Sequence, residues 1–108
     1  MTTNSNMKTI DEENKEFTLQ AELCQSLTHP FRLKIIQVLK NGPKKVGDIE
    51  VETKRPQPFI SQHLRVLRDK GIVTCQRKAN EVYYSLTDPK ILEICKLVND
   101  LIVKKSNS

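Results

Sequence analysis

Between Pro56 and Val73 the chain reads PQPFISQHLRVLRDKGIV, and its apolar residues recur at helical spacing. Phe59, Ile60, Leu64 and Leu67 fall on one flank, so that flank faces a core. Gln57, Ser61, Gln62, Arg65 and Arg68 fall on the other. Gly71 stands where such a helix stops, and Ile72-Val73 opens an extended run. The same spacing predicts a helix from about Asp11 to Leu27. Its stripe is Phe17, Ala21 and Cys24, with Leu23 and Leu27 beside it, and Asp11, Glu12 and Glu13 suit the positive end of its dipole. Pro30 opens the next helix, where its missing N–H costs nothing. Phe31, Ile35, Val38 and Leu39 point inward there with Ile36 flanking, and Asn41-Gly42-Pro43 stops it.

Val46 to Lys54 form a short helix anchored by Val46, Ile49 and Thr53, which Arg55-Pro56 joins to the 56–73 segment. Two short helices so joined make a helix-turn-helix. Pro56 and Pro58 stand at the second helix's start, the region that tolerates proline. After Gly71 the period changes to two. Val73 and Cys75, then Val82, Tyr84 and Leu86, alternate with polar residues and predict two strands. Residues 77–81 are the expected loop between them, with Asn80 in the left-handed turn position.

Thr87-Asp88-Pro89 starts a last helix, with Thr87 or Asp88 as its cap. Ile91, Leu92, Ile94, Cys95, Leu97, Val98, Leu101 and Ile102 make it apolar around more than half its circumference. One stripe is enough to pack a terminal helix on its own domain. The surplus calls for a second copy of the chain. The expected fold is mostly α with a small two-stranded antiparallel β-wing: a winged helix-turn-helix, dimeric through its first and last helices. Residues 1–10 form a disordered arm, 11–103 a single domain and 104–108 a fraying tail.

A length of 108 residues suits one domain, near the size where dimerisation adds useful stability. The net charge of +5 is unevenly spread. Residues 1–27 hold two Lys against five acids, and residues 28–87 hold twelve Lys or Arg against five. The positive charge therefore surrounds the 56–73 helix and wing, where it would attract polyphosphate. A short helix carrying Gln, Ser and Arg can enter a DNA major groove. The polar N-terminus lacks an apolar signal core and no run approaches a membrane span, so a cytoplasmic protein with no membrane partner is expected.

Three separated runs, HPFRLKIIQVL, VGDIEVETKRPQPFISQHLRVLRDKGIV and VYYSL, resemble the ArsR/SmtB family of winged-helix transcriptional repressors. The resemblance covers residues from about 20 to 102. It implies a homodimer on a palindromic double-stranded DNA operator, released when an inducer binds. By position it implies that Gln57, Pro58, Ser61 and Gln62 face bases. Arg77 and Lys78 match the family's basic wing, and His63-Leu64 matches its His-Leu pair. Leu64 belongs to the core, while His63 either packs or touches phosphate. With Arg65 and Arg68 on the same helix, the DNA-binding set is Gln57, Pro58, Ser61, Gln62, His63, Arg65, Arg68, Arg77 and Lys78.

The departures from the family pattern bear on the inducer. Members that sense soft metals carry a Cys-x-Cys-type motif on the first helix of the helix-turn-helix, where this chain has VGDIEVE. Zinc-sensing members use Asp and His early in the last helix and His and Glu near its end. Here Asp88 is kept, but Lys90, Leu101 and Lys104 occupy the other places, and neither Lys nor Leu suits a divalent cation. No metal site and no cofactor is expected, and the inducer stays unidentified. Cys24 and Cys95, on the first and last helices, are the candidate sensor thiols, to be oxidised together or to bind a soft thiophile. The plainer reading is that each is a small buried hydrophobe on an apolar stripe, as free cysteine usually is. Cys75, on a strand, reads as structural.

Two other functions compete. A winged helix can serve as a protein–protein module without specific DNA binding, in which case DNA affinity would depend little on salt. An enzyme is not expected: no Ser/His/Asp or Cys/His set is suitably spaced, and three glycines make no phosphate loop.

Overall fold

The computed structural model describes residues 9–106, with side chains as far as 103. The order is α1 (Ile10–Ser26), α2 (Pro30–Val38) extended by a 3₁₀ turn (Leu39–Asn41), β1 (Lys44–Lys45), α3 (Val46–Thr53), α4 (Gln57–Asp69), β2 (Val73–Lys78), β3 (Glu81–Leu86) and α5 (Lys90–Ser106). Of the arm expected over residues 1–10, residues 1–8 lie outside the described residues, and Thr9 and Ile10 form the start of α1 instead. Helix α1 starts one residue before the expected boundary because Thr9 caps it. The Glu12 N–H donates to Thr9 Oγ1 at 3.1 Å, and the Glu12 carboxylate accepts in return from the Thr9 N–H. Helix α5 runs to Ser106, past Lys104 where fraying was expected.

The core is built by the apolar flank of α4. Ile60, Leu64 and Leu67 are fully buried against Phe31, Ile35, Ile36 and Leu39 of α2 and its 3₁₀ turn, with Ile49 of α3, Ile72, Val73 and Ile91 closing the cluster. Burial of each Leu or Ile contributes about 1.5–3 kcal/mol relative to exposure. Ile36 is completely buried and Val38 only half, the reverse of their expected ranking. The α3–α4 turn closes through Lys54 in the left-handed region (φ 58°), with its N–H donating to the Glu50 carbonyl at 2.8 Å. Thr53, as expected, is buried and donates its hydroxyl to the Ile49 carbonyl at 2.7 Å.

Pro56, with ψ 153°, precedes α4 in extended conformation, as a residue in the N-cap position does. The helix ends in a Schellman arrangement around Gly71 at φ 75°. The Gly71 N–H donates to Arg68 and the Ile72 N–H to Leu67, at 3.0 and 2.9 Å. The chain thus leaves α4 directly into β2 with Ile72 and Val73 plugged into the core.

The wing differs from expectation in two ways. Its loop is two residues, Ala79 and Asn80, rather than five, because both take positive φ (50° and 66°) and make a type I′ turn. The strands therefore extend to Lys78 and from Glu81, with Lys78 opposite Glu81 and Val73 opposite Leu86. The sheet also has a third strand: β1 pairs antiparallel with β3, Lys44 opposite Tyr84 and Lys45 opposite Tyr83.

Helix α1 hardly touches the rest of the chain. Only Ser26 is buried, and Leu23 and Leu27 lean on the core. Phe17 is 65% exposed, and on α5 Leu97 and Leu101 are 64% and 69% exposed. The radius of gyration, 17.3 Å, exceeds the roughly 13 Å of a compact chain of about 100 residues. Two apolar faces, on the first and last helices, are left without cover by the other described residues.

Candidate nucleic-acid interface

The core fixes which way α4 faces. With Ile60, Leu64 and Leu67 turned inward, Gln57, Pro58, Gln62, Arg65 and Arg68 are exposed and Ser61 is half-exposed. The Gln57 amide donates to Ser61 Oγ at 2.6 Å across one helical turn. Pro58 sits in the first turn, where its ring leaves no N–H to satisfy. One turn on, Ser61, Arg65 and Arg68 line a shallow depression with Asp69 and with Tyr84 of β3, so helix and wing share one surface.

On the wing, Arg77 and Lys78 end β2 beside the turn and are both exposed. Their neighbour Lys45 is engaged: its ammonium lies 3.2 Å from Glu81, whose hydrogen bond and charge raise the lysine pKa. Among the described residues, no acid lies within ion-pair distance of Arg65, Arg68, Arg77 or Lys78. Their charge is thus uncompensated and directed to solvent, the arrangement that phosphate contact requires.

His63 is the member of the expected set that does not belong to this surface. It is 7% exposed, and its ring lies 4.8 Å from Phe59, 5.5 Å from Phe31 and 4.3 Å from His29. The reason is helical phase, since His63 lies between Ile60 and Leu67 on the buried flank. Burial first, then the neighbouring His29 and Arg32, hold its pKa below the usual imidazole value. Sequence reading also passed over Arg55 and Arg32. The Arg55 guanidinium stacks over the Phe59 ring at 4.8 Å, and Arg32 hydrogen-bonds to His63. The motif His29-Pro30-Phe31-Arg32 was the available signal.

The three cysteines are free thiols. Cys24 is exposed on α1, and Cys75 is half-buried on β2. Cys95 lines an apolar groove of about 640 Å³ between α2 and α5, with Leu27, Leu33, Leu92 and Ile102; Cys24 does not reach it. Burial pushes the Cys95 thiol pKa up, away from the thiolate form that reacts. Among the described residues no group of three or more His, Cys, Asp or Glu could hold a metal ion, and no helix is long and apolar enough to cross a membrane.

Residues 29–74, the span from the α2 cap to the second residue of β2, match the arsR family of bacterial regulatory proteins. The transcriptional repressor PagR of Bacillus anthracis is 40% identical over 82 residues, covering 75% of this chain and 82% of PagR. The crystal structure of Mycobacterium tuberculosis Rv0081 superposes with a TM-score of 0.77 at 28% identity, over 84% of this chain and 92% of that one. The solution structure of the homodimeric winged helix-turn-helix DNA-binding domain Mb0332 of Mycobacterium bovis shares the fold, with a TM-score of 0.79 at 20% identity over 94% and 95% of the two chains. The chain belongs to the arsR family of bacterial regulatory proteins and is a winged helix-turn-helix transcriptional regulator.

Proposed function

We propose that the chain acts in the cytoplasm as a sequence-specific repressor, binding a palindromic operator as a homodimer. In this reading α4 of each protomer lies in one of two successive major grooves. Gln57, Ser61 and Gln62 meet base edges, Pro58 sets the close approach of the first turn, and Arg65 and Arg68 reach phosphates. Arg77 and Lys78 hold the flanking backbone from the wing. The observation that carries the reading is the exposed polar face of α4, whose arginines have no acid partner among the described residues. The uncovered apolar faces of α1 and α5 support a homodimer, the assembly named for Mb0332.

The inducer acts by changing how the two heads are tilted through these helices. Cys24 and Cys95 are its thiol candidates, and a pair formed between protomers is the arrangement that would let them act together. Selecting duplexes from a random pool with the purified protein tests the function. Enrichment of an inverted repeat with half-sites about one helical turn apart supports it. Enrichment of nothing, with weak and salt-insensitive binding, favours a protein–protein module instead.

A further inference from the structure

Arg32 occupies a junction that DNA contact alone does not explain. Its Nη1 donates to the Ser26 carbonyl at 3.2 Å, one of the carbonyls left open at the end of α1. Its Nε donates to His63 Nδ1 at 3.3 Å. One guanidinium thus joins the end of α1, through α2, to the buried flank of α4. The rings around His63 fix it there: Phe59 on α4, Phe31 and His29 at the start of α2, with Arg55 of the α3–α4 turn stacked on Phe59.

The hydrogen bond imposes a protonation state. An Arg N–H can donate to Nδ1 only if that nitrogen carries a lone pair, so the His63 proton sits on Nε2. His29 Nδ1 is likewise an acceptor, from the Phe31 N–H at 3.1 Å. Adding a proton to His63 would set donor against donor. Among the described residues, the charged or titratable groups facing the ring are Arg32 of α2 and His29 at its cap, both basic, while Arg55 of the turn lies over the adjoining Phe59 ring. Glu22 of α1 and Lys70 after α4 line the depression over Arg32 and are opposite in sign. Among the described residues no carboxylate hydrogen-bonds to His63.

We propose that Arg32 and His63 are positioning residues for the reading helix: the clasp ties α4 to the end of α1 only while His63 is neutral, so proton uptake there loosens α4 and weakens DNA binding. The proposal rests on the DNA-binding reading above. It also opposes the effect of charge alone, because added positive charge on a DNA-binding chain tightens phosphate contact as pH falls.

The test uses the full chain and the duplex it selects at about pH 7.5, with affinity followed down to about pH 5.5. One proton per protomer predicts affinity falling about threefold or more, with a limiting slope of about tenfold per pH unit for each protomer. In His63→Asn the Oδ1 replaces Nδ1 as acceptor without titrating, so binding stays within about threefold at the higher pH and the acid loss disappears. Arg32→Gln removes the two-pronged link; it binds more weakly at the higher pH and also flattens the profile. Nitrogen NMR of the free protein reads the clasp without DNA, and an unprotonated Nδ1 on His63 at about pH 7.5 is expected. A protonated Nδ1, or a selected duplex bound equally at both pH values or more tightly in acid, overturns the proposal while leaving DNA binding intact. Failure to select any duplex, with Nδ1 unprotonated, overturns the DNA-binding reading and the coupling, and leaves only the clasp.

Discussion

Gln57 and Ser61 are joined across one turn of α4 by a hydrogen bond of 2.6 Å, on the face that the core turns outward. The bond holds both side chains in one arrangement before any duplex arrives, which reduces the ordering that binding would require. Both sit on the helix surface, so replacing them with alanine should change folding stability by less than about 0.5 kcal/mol. The double variant should lose preference for its selected duplex over a scrambled one, with each disrupted base contact contributing about 1–3 kcal/mol of discrimination. Competition binding with the two duplexes checks it.

The cations should show themselves through salt. Arg65, Arg68, Arg77 and Lys78 have no acid within ion-pair distance among the described residues, so each is free to neutralise a phosphate. Each neutralised phosphate adds about 0.9 to the slope of log affinity against log salt. In a homodimer one substitution removes two contacts, so Arg68→Ala should reduce the slope by about 1.8. The reduction should be the same on selected and scrambled DNA.

Backbone conformation supplies stability predictions that side-chain contacts do not. A Cβ at Gly71 would meet nothing within 4 Å, so only its φ of 75° opposes substitution. Gly71→Ala should therefore cost about 1–2 kcal/mol, the ordinary penalty for a left-handed alanine. The natural chain already carries that penalty at Ala79, φ 50°, in the wing turn. Ala79→Gly should accordingly raise the unfolding midpoint, by up to about 1 kcal/mol of stability. Leu64→Ala, which empties a fully buried site, should cost about 2–5 kcal/mol. Thermal unfolding of the three variants ranks them.

Stability should also depend on His63. Its folded pKa lies below the unfolded value, so below about pH 6.5 the unfolded chain binds more protons at this position. This contribution is fully present above that pH and is lost as pH falls from about 6.5 towards the folded pKa. Urea unfolding across this window should show the decline in the natural chain and a smaller one in His63→Asn.

Leu97 and Leu101 are 64% and 69% exposed, so their loss leaves the core of the chain alone. Leu97→Glu with Leu101→Glu should yield a folded monomer by sedimentation. Losing the linked second half-site should weaken binding to the palindrome by about a hundredfold or more.

What could be read from residues alone follows from range. The phase of α4, its proline start and its Gly71 stop are local, so Ile60, Leu64 and Leu67 were identifiable as core and Gln57 and Ser61 as surface. The same phase puts His63 on the buried flank, but its partners there could not be read, because Phe31, His29 and Arg32 lie some thirty residues away. Strand β1 has two residues and leaves no period to detect. The wing turn was misjudged because alanine rarely takes the left-handed conformation that shortens the loop. The apolar stripe on α1 was visible, yet no local signal said that Phe17 would remain outside the chain's own core.

The central claim is that the outer face of α4 reads base edges, and the ratio of affinities for selected and scrambled duplexes tests it most directly. In Gln62→Ala the ratio should fall about tenfold, with affinity for scrambled DNA unchanged. An equal loss on both duplexes, or no loss on either, would contradict it.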